Sequence, residues 1–193
     1  MFHYDWTHNG DTGAEAVRYH LVPESDPAEV LSLRRDARLL LEHLDSDMIE
    51  TLWQAGTYPA GGFSDPRRGF TTGAEWMETI TGLCDVWLAG KQNVSPLTGA
   101  DAEDGAQLVD AVLAEIDQAR FLPDRVRQAL AECARRCTPD LAFRLLLRAI
   151  PQSVRGFDLP LTPEQYARLE ELGSALYYGE FVVNDVKFAV EQD

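Results

Sequence analysis

The sequence predicts a mainly helical α+β domain, and three observations carry that expectation. Capping sequences headed by Thr or Asp recur along the chain. Each is followed by apolar residues at helical spacing. Both ends of the chain instead alternate apolar and polar residues, the period of a strand. Together these predict one globular domain over residues 1–193, with five to seven helices. A small sheet would form from an N-terminal hairpin and one or two C-terminal strands, packed on the helical body. A chain of 193 residues is long enough for one good hydrophobic core.

The elements follow in order. Phe2, Tyr4 and Trp6 alternate with His3, Asp5 and Thr7, and Val17, Tyr19 and Leu21 alternate with Arg18 and His20. The turn formers Asn9 to Gly13 lie between them, so residues 1–22 read as a hairpin ended by Pro23. Asp26-Pro27-Ala28-Glu29 opens a helix whose Val30, Leu33, Ala37, Leu40, Leu41 and Leu44 share a face. Met48 to Ala55 continues or restarts it, with Gly56 as the stop. Thr57 to Thr72 is a long loop, and Thr72-Gly73-Ala74-Glu75 is a capping box. The stripe Trp76, Ile80, Leu83, Cys84, Trp87 and Leu88 follows, ended by Gly90.

Val109, Val112, Leu113 and Ile116 mark the next helix. Pro123 opens another, in which Val126, Ala129, Leu130, Cys133 and Cys137 share a face. Thr138-Pro139-Asp140 starts a short helix expected to end before Pro151. Thr162 to Gln165 caps a helix carrying Tyr166, Leu169, Leu172 and Leu176. Phe181 to Val190 alternates like a strand, with Asn184-Asp185 as a possible hairpin turn. No internal repeat, low-complexity segment or long linker interrupts this order. The expected core includes Phe2, Tyr4, Leu33, Leu40, Trp76, Ile80, Leu83, Trp87, Val109, Leu113, Ile116, Leu130, Leu145, Leu169, Leu172 and Phe188.

Charge narrows the function. The net charge is −15, from 17 Lys+Arg against 32 Asp+Glu. Ala119 to Gly156 holds eight Arg and three acids, so the remainder carries −20. Such a surface repels phosphates and anionic membranes, which argues against nucleic acid and membrane partners. No stretch is apolar enough to span a bilayer, the N-terminus does not read as a signal peptide, and three sparse cysteines fit a reducing cytoplasm.

Few residues suggest chemistry. His3, Asp5 and His20 would share a hairpin face, but no further ligand spacing supports a metal, and neither metal nor cofactor is expected. Cys133 and Cys137, four apart, read as small packing residues, and Cys84 as buried. Asp45, Asp47 and Glu50 read as acids at a helix start, and the Arg120 to Arg155 set as a solvated, partly paired face. Catalytic signatures such as Gly-x-Ser-x-Gly are absent.

Two functions remain. The first is a small acidic cytoplasmic interaction protein, such as an immunity protein, antitoxin or inhibitor, that masks a basic partner surface. Asp101, Glu103, Asp104, Asp110, Glu115 and Asp117 would carry it, because no basic residue lies between Lys91 and Arg120. The alternative is an enzyme or ligand-binding protein that holds an anionic group on the 61–72 loop. Arg67, Arg68, Thr71 and Thr72 precede a helix N-terminus there.

Overall fold

The computed structural model describes residues 9–57, 63, 69–154, 161–178 and 180–191, and not the side chains at 100, 101, 180 and 181. Among the described residues the chain is all-helical, with nine α-helices and three short 3-10 segments. This corrects the expected α+β class. The seven helices read from the sequence are present, and the two additional ones occupy the segments expected to be strands. Backbone contacts divide the chain into two compact units, Met1–Ala102 and Glu103–Asp193.

Of the expected hairpin, residues 1–8 lie outside the described residues. Its second strand is α1 (Gly13–His20). Val17 and Leu21 are four apart, a separation that fits one strand face and one helix face equally well. Thr12 decides between them: its side chain accepts from the Glu15 N–H while Glu15 reaches back to the Thr12 N–H, a complete capping box. Ala16 and Val17 are then buried together, while Tyr19 is 60% exposed.

The C-terminal strands are corrected in the same way. α9 (Glu180–Asn184) and a 3-10 turn at Lys187–Ala189 replace them. Val183, Val186 and Ala189 point inward at steps of three, the period of a tight helix, which leaves Phe188 58% exposed rather than in the core. Among the described residues, sheet-like pairing is reduced to a single parallel bridge between Leu161 and Val190.

In the first unit, α2 (Pro27–His43) and α4 (Gly73–Ala89) form the main helix pair, with α3 (Ser46–Gly56) against α4. Asp26 and Asp45 cap α2 and α3 by accepting from the N–H groups of Ala28 and Met48. α4 buries Trp76, Met77, Ile80, Cys84 and Leu88. Trp76 is the centre of an aromatic cluster, stacked on Phe70 at 4.2 Å between centroids and edge-on to Trp53 at 5.3 Å. Phe63 and Phe70 are both buried, so the described part of the 57–72 loop contributes to the core.

Two further core assignments in this unit are corrected. Leu83 and Trp87 are only half-buried, because they lie at the edge of the α4 stripe. Trp87 instead donates its indole N–H to the Val22 carbonyl at 2.9 Å and lies 4.3 Å beneath the Lys91 ammonium. Leu33 in α2 is half-buried as well.

In the second unit α7 (Pro139–Ser153) is central. It buries residues on most of its circumference, from Leu141 and Phe143 to Leu146, Leu147 and Ile150. α5 (Val109–Gln118) and α6 (Asp124–Arg136) pack against it and each other, and α8 (Pro163–Ala175) packs on α5 and α9. Val109, Leu113 and Leu145, expected in the core, are half-buried. α7 also runs through Pro151 instead of stopping before it. Proline there interrupts only the last turn, and the Ser153 hydroxyl donates to the Ile150 carbonyl at 2.6 Å.

One repetition escaped the sequence reading. Thr-Gly-Ala-Glu occurs at 12–15 and again at 72–75, and both copies build the same capping box. The second glycine is also a packing requirement. A Cβ on Gly73 would lie 2.6 Å from the Ser46 carbonyl oxygen and 2.8 Å from the Ile49 Cβ, so α3 crosses α4 only over glycine.

Candidate functional site

The six acidic residues of the proposed interface separate into distinct environments. The side chain of Asp101 lies outside the described residues. Glu115 is buried in α5 and accepts from the Arg168 Nε of α8 at 2.5 Å, so it ties α5 to α8. Asp117 is exposed but paired, accepting from Arg120 at 2.8 Å and lying 3.5 Å from Arg127. Glu103, Asp104 and Asp110 remain exposed, and none has an ion-pair partner among the described residues.

Two of these three sit on a pinned segment. The Asp104 carbonyl accepts from the Asp140 N–H at 3.1 Å, which ties the segment to the start of α7. The Asp104 carboxylate accepts from the Ala106 N–H at 3.0 Å. Gly105 follows in the left-handed region, φ +70°, with the Leu176 side chain where a Cβ would be. Glu103 and Asp104 therefore project from a fixed turn.

At the loop proposed for anion binding, Arg67 and Arg68 lie outside the described residues. Thr71 and Thr72 are in place, but the donors around them are already engaged. The Glu75 carboxylate accepts from the N–H of Thr71 and of Thr72 and from the Thr71 hydroxyl at 2.6 Å. These bonds, the Thr71 hydroxyl first, hold its pKa below the ordinary glutamate value. Glu50 accepts from the Gly73 N–H at 2.9 Å, and the Ser46 hydroxyl accepts from the Ala74 N–H at 3.1 Å. Two of the protein's own carboxylates thus occupy the α4 N-terminus, where an external anion would bind. Asp45 and Glu50, read as acids at a helix start, serve here as caps.

Four of the eight arginines in the basic segment form ion pairs with nearby acids among the described residues. Arg120 and Arg127 pair with Asp117 and Asp124, Arg135 with Glu132, and Arg144 with Asp140. Asp140 also accepts from the Tyr178 hydroxyl, making a Tyr–Asp–Arg network that ties the end of α8 to the start of α7. Desolvation first, then the charge of Asp140, pushes the Tyr178 pKa well above the ordinary tyrosine range, so its proton stays in this network.

Among the described residues the histidine and cysteine candidates do not gather into one cluster. His3 and Asp5 lie outside the described residues, and the His20 ring meets the Asn9 side chain at 3.3 Å. Among the described residues no three His, Cys, Asp or Glu side chains gather as metal ligands. Cys84 and Cys133 are buried, and burial with the adjacent Asp85 pushes the Cys84 thiol up to about 11. That is the reverse of an activated nucleophile.

The feature that sequence reasoning missed is a cleft in the first unit, about 410 Å³ in volume. Leu31, Arg34, Arg35, Arg38, Leu39 and Glu42 of α2 line one wall, and Pro96 and Leu97 face them. The α2 residues step by three and four, so their shared stripe was visible as a helical pattern. Their opposite wall, some sixty residues later, was not. Arg34 and Arg38 both pair with Asp85 of α4, at 2.8 and 3.2 Å.

Compared with known proteins, the chain matches no family model, no curated protein and no solved structure. Among the described residues no helix is long and apolar enough to cross a membrane.

Proposed function

We propose that this protein is a charge-driven binding module that covers a basic surface on a protein partner, as an immunity protein, antitoxin or inhibitor does. The observation that supports it is the exposed set Glu103, Asp104 and Asp110, unpaired among the described residues. The pinned turn at Gly105 adds to this, because carboxylates held in place lose less conformational freedom on binding. Glu115 and Asp117 leave the interface for the structural pairs described above. A reducing cytoplasm is the compartment this reading adopts, from the sparse cysteine usage and the absence of any disulfide among Cys84, Cys133 and Cys137.

The test is the association rate with a partner purified from native lysate, measured at low and at physiological salt. Steering between exposed charges is screened beyond about 8 Å at physiological ionic strength. Asp104→Lys with Asp110→Lys should slow association about tenfold or more at low salt and leave dissociation nearly unchanged. Association indifferent both to salt and to the double reversal would remove these residues from the interface.

A further inference from the structure

The arginine cleft of α2 carries an inference independent of the acidic surface. Residues 1–102 contain 16 acids and only seven Lys+Arg, yet three of those seven line this one cleft. Arg34 and Arg38 share a single carboxylate, and each spends one guanidinium N–H on Asp85. A guanidinium carries five N–H donors in a planar fork, which suits a bidentate anion. Leu31, Leu39, Pro96 and Leu97 form the apolar part of the lining, and Arg35 and Glu42 complete it. Glu42 ends the stripe one turn beyond Arg38, about 6 Å along the axis and about 12 Å from Arg34. Its charge favours an anionic head at the Arg34 end of the pair.

We infer that this cleft binds a small anionic amphiphile, a carboxylate or phosphate monoester with a short apolar tail. The head would be held by Arg34 and Arg38 and the tail by the leucines and Pro96. The cleft volume of about 410 Å³ is that of a small-molecule site, typically about 300–1,000 Å³. Asp85 then acts as an internal competitor that occupies the guanidinium pair until the ligand head displaces it.

Calorimetric titration of the whole protein with octanoate, octyl phosphate and uncharged octanamide tests this. Saturable binding of at least one of the two anions, with none of octanamide, is expected, and the tighter anion identifies the preferred head. Arg34→Gln with Arg38→Gln should weaken that binding at least tenfold while the circular dichroism spectrum is unchanged. Asp85→Asn should tighten it several-fold, since the competing carboxylate is gone. A misfolded variant could not produce that gain. No saturable binding of either anion, equal binding of octanamide, or an Asp85→Asn protein that binds no more tightly would each overturn the proposal.

Discussion

Two tryptophans on one helix show how burial sets a residue's worth. Trp76 and Trp87 belong to the same stripe of α4, yet Trp76 is fully buried among Phe70 and Trp53 while Trp87 rests half-exposed beneath Lys91. Trp76→Ala removes a large side chain from a packed centre and should cost about 3–5 kcal/mol. Trp87→Ala loses part of its contact area, one hydrogen bond and one cation–π contact, so about 1–2 kcal/mol is expected. Urea denaturation of both variants measures the difference. Equal losses would mean that the edge position of Trp87 is misjudged. The same reasoning explains Phe188, an apolar residue that the backbone turns outward.

Among the elements, α4 depends most visibly on its first turn. Thr72 accepts from the Glu75 N–H, and Glu75 in return holds the N–H groups of Thr71 and Thr72. Thr72→Ala should therefore cost about 0.5–2 kcal/mol. Glu75 adds a pH dependence whose sign follows from its lowered pKa. A carboxylate with a depressed folded-state pKa contributes stability that is present above its unfolded value and lost as pH falls through the folded value. Thermal melts of Glu75→Gln against the parent should differ near neutral pH and converge in acid, below the ordinary glutamate range. A difference that persists or grows in acid would show that the carboxylate is not the stabilising partner.

At the scale of the molecule, each compact unit has its own buried centre. Trp76 and Ile80 mark the first, and Phe143, Leu146 and Ile150 the second. A unit with its own core can unfold as its own transition. All four tryptophans lie in residues 1–102, so their fluorescence reports the first unit, whereas far-ultraviolet circular dichroism reports helices in both. The two signals should follow separate denaturation curves. Coincident curves would instead establish the single cooperative domain that chain length alone suggests.

The sequence by itself determined the local structure wherever side chain and backbone settle the matter between neighbours. The caps at Asp26, Thr72 and Thr162, the proline starts and the stripe of α4 were all legible, because each depends on residues three or four apart. The repeated Thr-Gly-Ala-Glu was equally local and would have marked α1 as a helix. Tertiary structure alone decided the rest. Val17 and Leu21 fit both periods, and the 181–190 segment reads as strand by its alternation until packing buries Val183, Val186 and Ala189 at helical steps. Acidic residues adjacent in the chain divided between a half-buried pair, a paired surface and an open one, because Arg168 and Arg127 arrive from other helices. The arginine cleft needed Pro96 and Leu97 brought opposite α2. Charge and spacing are properties of the chain, but which charges stay exposed depends on what folds against them.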